Sequence, residues 1–295
     1  MFKKISLSIL LVGAAIFSHL AIAQKSEEPK QTAEAFLASI KFQQGSIKLP
    51  NGVATLNLPE TFRYLSPDDA DKILVQAWGN PPGAKTLGML VPSNTSPLSE
   101  SGWGVIITYD ESGHVKDDDA DSINYDDLLK DMKEASVAAN EERKKAGYGE
   151  MNLVGWAERP SYDKQTHKYF WAKELSTGQT ENTLNYSIRV LGRKGVLVLN
   201  AVAGMKQIAA IKQEMKSVVA FTEFVEGNRY TDFNSSTDKV AEYGLAALVA
   251  GGVAAKLGFF GKLFALLIAF KKLLFVGAIA VFAGIAKFFK KKEST

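Results

Sequence analysis

No cysteine occurs anywhere in the chain. Its absence excludes disulfides, thiol catalysis and a lipid-modified cysteine behind a leader. Histidine is almost missing too, with only His19, His114 and His167. A zinc centre outside the leader would need both later histidines plus a carboxylate, and no ligand spacing joins them. His114 borders a turn and His167 starts a strand beside Tyr169 and Trp171, so each reads as a surface or packing histidine. There is no Gly-x-Ser-x-Gly elbow, Walker loop or dinucleotide glycine pattern. Ser-x-x-Lys occurs at Ser161/Lys164 and Ser236/Lys239, but without the motifs that accompany it in serine acyl enzymes. The apolar C-terminus also lacks a lysine-free run of the about 20 residues that a bilayer helix uses.

What is present at the ends points to a membrane. Lys3 and Lys4 precede an apolar stretch, Ile5 to Phe17, and Ala21-Ile22-Ala23 fits a cleavage site. The expected signal peptide is 1–23, with the mature chain starting at Gln24. An uncleaved anchor helix is the alternative. From Tyr243 to Phe289 the chain is apolar apart from five lysines, and then comes the basic tail 290–295. Lysines near helix ends snorkel, so Leu273–Phe289 and Tyr243–Gly261 are workable short spans. Ala247, Gly251 and Ala255 form a small-xxx-small face suited to helix packing in lipid. A buried helical hairpin is the rival reading. The tail from Ala241 carries net charge +6 and the signal +2, which leaves Gln24–Val240 at −5. The basic balance is therefore a membrane-end effect, with no basic stripe for nucleic acid. The expected location is a membrane, the inner one if the cell is Gram-negative, with the main domain extracytoplasmic or periplasmic.

Between the ends lie a lead segment (24–44), a folded domain (45–226) and a linker (227–242) rich in Asn, Ser, Thr and Asp. "SIKLPNGVATLNL" predicts a hairpin around Pro50-Asn51-Gly52. Ser66 and Pro67 open a helix that Gly79 ends. Asn124 to Ala146 predicts the longest helix, with Leu128, Leu129, Met132, Ala135 and Ala139 facing inward and Gly147 stopping it. In "TLNYSIRVL", Leu184, Tyr186, Ile188 and Val190 alternate with Thr183, Asn185, Ser187 and Arg189, the pattern of a half-buried strand. "VLVLNAVA" is a second strand, and Lys206–Ala220 a late helix. The expected fold class is α+β: a mostly antiparallel sheet flanked by helices, then a C-terminal helical membrane anchor (243–289).

The densest charge is "GHVKDDDADSINYDD". Asp117, Asp118, Asp119 and Asp121 could converge on a divalent cation, because hard cations need only oxygens. A calcium loop starting at Asp117 fails, since Ser122 replaces the turn glycine and Leu128 the bidentate glutamate. The competing reading is a helix entrance, where negative charge suits the dipole and Asp121, Ser122 or Asn124 can cap. No other cofactor is implied. Trp156, Tyr162, His167 and Trp171 offer a candidate partner- or ligand-binding surface of aromatics with polar handles.

Several long stretches together resemble one family. They are "LPNGVATLNLPETFRYLSPDDA", "WGVIITYDESGHVKDDDA", "LVGWAERPSYDKQTHKYFWAKEL" and "TLNYSIRVLGRKGVLVLNAVA". The family is a bacterial membrane-anchored one of unknown function, the domain of unknown function 2167, and the likeness covers roughly 45–233. It implies an exported, membrane-anchored bacterial protein and supplies no catalytic residues. The element order also looks like the sheet-and-helix domains of the PsbP type, an analogy of fold alone. The expected function is a non-catalytic partner- or ligand-binding module of the envelope, with membrane and an envelope protein as partners. Two alternatives stay open: a cation-dependent hydrolase using 117–121, and a tail that oligomerises or structures the membrane.

Overall fold

The computed structural model describes residues 33–250, in two units divided after Ser39. The expected signal peptide, the lead segment before residue 33 and the anchor beyond residue 250 lie outside the described residues. Among the described residues no helix is long and apolar enough to cross a membrane. The first unit holds α1 (Ala33–Ala38), where the Ser39 hydroxyl donates to the Phe36 carbonyl at 2.6 Å.

The second unit begins with β1 (Phe42–Gln43), β2 (Ser46–Lys48), β3 (Ala54–Asn57) and β4 (Phe62–Leu65). The predicted hairpin is β2 on β3, and Gly52 supplies its left-handed turn at φ 71°. Helix α2 (Pro67–Asp71) starts as its sequence requires. The Asp69 amide donates to the Ser66 hydroxyl at 3.3 Å, with Pro67 at the start. The helix then widens to a π turn over Lys72–Ala77 and stops before Gly79, at φ 66°. Strands β5 (Gly88–Pro92) and β6 (Gly104–Asp110) follow, then α3 (Tyr125–Lys145), β7 (Asn152–Asp163), β8 (Lys168–Ser176), β9 (Thr183–Leu191) and β10 (Val196–Gly204). Helix α4 (Ile208–Ala220), β11 (Thr222–Phe224) and α5 (Leu245–Ala250) complete the described chain.

The expected α+β class holds. One eight-stranded antiparallel sheet runs in the order β1-β4-β5-β6-β10-β9-β8-β7, and a small sheet in the order β11-β3-β2. The alternation in β9 decides the layers. Leu184, Tyr186, Ile188 and Val190 enter one core with Leu197 and Leu199 of β10, beneath Ile211, Met215 and Val218 of α4. Each such side chain contributes on the order of 2 kcal/mol by leaving water. The opposite face carries a second core built on Tyr169, Trp171, Leu191 and Val196, covered by α3 and α5.

Two expectations need correction. Ala135 and Ala139 of α3 are exposed. The helix instead turns Ser136 and Asn140 toward β7. The Ser136 hydroxyl donates to the Met151 carbonyl at 2.9 Å and accepts from the Leu153 amide at 3.2 Å. Asn140 is buried, accepts from the Met151 amide at 2.8 Å and donates to Asn152 at 2.7 Å. These bonds take up the backbone groups at the ragged start of β7, which apolar surface could not do.

The second correction is that residues 227–242 are held against the domain rather than hanging as a linker. Arg193 grips Asp238 through Nε at 2.7 Å and Nη2 at 3.0 Å, and also reaches the Gly227 carbonyl at 3.3 Å. The His114 amide donates to Lys239, and the Ala241 amide donates to His114, both at 2.8 Å. The Arg193 fork pushes the Asp238 carboxyl down to about 2. A depressed carboxyl contributes stability above its unfolded pKa of about 3.9 and loses it as pH falls toward about 2. Arg193→Ala is expected to lower the melting temperature and open 227–242 to protease. Unchanged protection of that segment would refute its docking by Arg193.

Candidate functional site

The acidic turn sits where β6 leads toward α3. Its carboxylates do not converge; each serves a different element. Asp117 Oδ2 accepts the Tyr162 hydroxyl at 2.7 Å and lies 3.5 Å from His167 Nδ1. Its Oδ1, at 3.1 Å, shares the Tyr230 hydroxyl with the Val115 carbonyl at 3.0 Å. Asp118 is exposed. Asp119 Oδ1 accepts the Leu245 amide at 3.3 Å, and its side chain lies against Gly244. Asp121 pairs with Lys164 at 2.5 Å on the surface. Asn124, one of the expected caps, accepts the amides of Asp126 and Asp127 at 3.1 and 3.3 Å. Among the described residues no three His, Asp or Glu side chains are grouped to hold a metal ion.

Both later histidines join this turn, which their separate sequence contexts do not reveal. Phe233, His114, Tyr230 and His167 form one column of rings, with successive centroids 3.9, 4.3 and 4.0 Å apart. Burial lowers the His114 pKa, offset in part by the Gly192 and Arg193 carbonyls and the Asp117 charge. The ring is therefore neutral at pH 7. Burial raises the phenol of Tyr162, and its bond to Asp117 adds to that. Burial also raises Tyr230, with the Asp117 charge second. Both phenols stay protonated and donate. Burial alone would raise the Asp117 carboxyl, but the Tyr162 and Tyr230 hydroxyls outweigh it and hold the pKa below the usual value. His167 sits at φ 53°, in the four-residue turn between β7 and β8. Glycine would suit that backbone better, but only a ring completes the column.

The aromatic candidates lie in the same layer. Trp156 is half-buried and donates from Nε1 to the Tyr125 carbonyl at 3.3 Å. Trp171 is fully buried, edge-on to Tyr169 at 5.4 Å, with the Arg189 guanidinium 4.8 Å above its ring. Tyr125 and Tyr169 join their hydroxyls at 2.5 Å. Chemically, this arrangement fastens one part of the chain to another. The phenols are protonated donors, His114 is packed between rings, and Asp117 is the shared acceptor. What it fastens is the chain leading to the tail. Tyr230 and Phe233 stack there, the Tyr243 hydroxyl bonds Asp110 at 2.6 Å and also meets Ser112, and Leu245 rests on Asp119. Sequence reading missed Tyr230, Phe233, Arg193 and Asp238. The signal available was a pair of aromatics, Tyr230 and Phe233, and the acid Asp238 within a stretch otherwise typical of linkers.

The chain is similar to two solved structures at low TM-scores. One is cyanobacterial PsbP (CyanoP) from Synechocystis sp. PCC 6803, 10% identical, covering 63% of this chain and 92% of that one, with a TM-score of 0.33. The other is the Ran-binding protein Mog1p of Saccharomyces cerevisiae, 11% identical, covering 66% of this chain and 100% of that one, with a TM-score of 0.32. Likeness at that level bears on neither ligand nor reaction. No curated protein matches the chain. A family model described as "Protein of unknown function (DUF2167)" matches residues 41–282, nearly all of the folded domain and much of the apolar tail, and the chain belongs to that family.

Proposed function

We propose that this protein is a membrane-tethered module of the bacterial envelope that binds a partner or ligand without transforming it. In this reading 1–23 is a signal peptide, 243–289 holds the tether, and the domain faces away from the cytoplasm. One observation carries the proposal. The groups best suited to acid–base or cation chemistry, Asp117, Asp119, His114 and His167, are engaged in holding residues 230–245 to the sheet. The domain is thus joined to its tail through a built contact, which suits transmission of a binding event better than catalysis.

The test is chemical cross-linking of the full-length protein in its own membrane, followed by mass spectrometry. A reproducible partner or retained ligand is expected; none across repeated cross-linking chemistries would overturn the reading. The melting temperature is expected to stay unchanged with calcium, magnesium, manganese or zinc. A rise following RT ln(1 + [L]/Kd) would restore the cation-dependent alternative.

A further inference from the structure

The face of the sheet that carries Trp171 also carries a strip of hydrogen-bond donors. The strand register sets it out. Lys173 lies opposite Asn185, Trp171 opposite Ser187, and Tyr169 opposite Arg189. Ser187 in turn lies opposite Asn200 of β10. Directly paired residues share a face, so Lys173 and Arg189 flank the Trp171 indole on one surface. Both cations are half-buried.

The strip is rich in donors and poor in acceptors. Among the described residues Lys173 has no carboxylate within ion-pair distance, and the charge that acts on it is Arg189, of the same sign. Arg189 has only a 3.4 Å approach to its neighbour's carbonyl and the Trp171 ring beneath it. The one acid that acts on it from the sheet is Asp110, whose carboxylate already takes the Tyr243 hydroxyl. The Trp171 Nε1 proton is buried with no acceptor. The Ser187 hydroxyl donates to Asn200 Oδ1 at 2.6 Å and approaches Asn185 Oδ1 at 3.4 Å. Both amide nitrogens are then left as donors.

Buried donors without acceptors are costly, and cations without an ion-pair partner more so. We infer that this strip is a binding site for an anionic group, a carboxylate or a phosphate, clamped between Lys173 and Arg189 with Trp171, Asn185 and Asn200 as neutral donors. The inference rests on the binding reading above and names the ligand chemistry for it. The geometry suits it. A guanidinium lying on an indole keeps its fork fixed, and the strand register puts Lys173 on the other side of the same indole.

The state of Lys173 fits the same account. Burial, and then the Arg189 charge, push its pKa down to about 8. A lysine whose folded pKa lies below its unfolded value of about 10.4 destabilises the fold wherever it must be charged. That penalty is complete below about pH 8 and is relieved as pH rises toward about 10.4. Lys173→Met is therefore expected to melt higher than the parent at pH 7, with the gap closing above pH ~10. A variant no more stable than the parent below pH 8 would show that the ammonium is not held against stability.

The binding test uses the full-length protein in detergent, with inorganic phosphate in one arm and succinate in the other, each against sodium chloride at matched ionic strength. The readouts are melting temperature and the rate of Lys173 acylation followed by peptide mass spectrometry. One anion is expected to raise the melting temperature and slow acylation severalfold, and the arm that responds assigns phosphate or carboxylate. The melting response is expected to vanish in Lys173→Met, both responses to vanish in Arg189→Gln, and both to persist in Asp118→Asn. A full response in Lys173→Met, or no response beyond chloride in either arm, would overturn the site. A cross-linked partner captured without any anion response sinks this site and leaves the binding module standing.

Discussion

Asp117→Ala is expected to lower the unfolding free energy by about 2 kcal/mol, the larger part of it from the Tyr162 hydroxyl, because Tyr230 keeps the Val115 carbonyl at 3.0 Å as an acceptor. Tyr162 and Tyr230 come from different parts of the chain and meet only at this carboxylate. Hydrogen bonds to a charged acceptor contribute about 1.5–3 kcal/mol each, and an orphaned buried hydroxyl adds its own desolvation. Asp118→Ala, one residue along and exposed, is expected to stay within about 0.5 kcal/mol. Denaturant unfolding of the full-length protein in detergent checks both. Equal effects from the two variants would mean that the turn acts only by general charge. The pH dependence has a defined sign. The folded Asp117 carboxyl lies below its unfolded value, so its contribution is present above about pH 3.9 and is lost as pH falls through the folded pKa. The gap between parent and variant should close on acidification.

The sheet was legible because its signals are local and periodic. The alternation at Leu184, Tyr186, Ile188 and Val190 is a statement about one strand, and it held in the core. The Ser66-Pro67 cap and the Asn124 cap were legible for the same reason: a side chain reaching two or three residues along its own chain. The site was not legible, because its bonds join residues 45 and 113 positions apart. No spacing rule reaches that far. The sequence puts His114 at a turn and His167 among candidate binding aromatics, and only Tyr230 between them makes them a column. The inner stripe of α3 failed differently. Apolar periodicity chose Ala135 and Ala139, whereas the contact with β7 required polar Ser136 and Asn140. The stretch 227–242 has the composition of a linker, yet a single arginine fork and two stacked rings hold it. Average polarity says nothing of where a few strong contacts fall.

Ending the chain at Glu242 is expected to unfold or loosen the domain, whereas ending it after Ala250 is expected to leave it intact. Composition assigns Tyr243 onward to the membrane, but its first turns fill the second core. Leu245, Leu248 and Val249 are buried beside Trp171, Leu191 and Val196. Truncating one buried leucine costs about 2–5 kcal/mol. Removing all three residues, with the Tyr243 and Leu245 bonds to Asp110 and Asp119, approaches the about 5–15 kcal/mol by which a domain is stable at all. Near-ultraviolet circular dichroism and protease resistance of the two truncated chains give the answer. Native spectra for the chain ending at Glu242 would show that α5 is a passenger. Leu245→Ala in the full-length protein is the milder form, expected to cost about 3 kcal/mol. The consequence for function is geometric. In the proposed reading, a tether continuing from α5 starts at the second core, so force at a membrane would pass through Leu245 to Asp119 and the sheet. An unrelated anchor would preserve wild-type behaviour only if spliced after Ala250. Spliced at Tyr243, it would remove part of the domain along with the proposed tether.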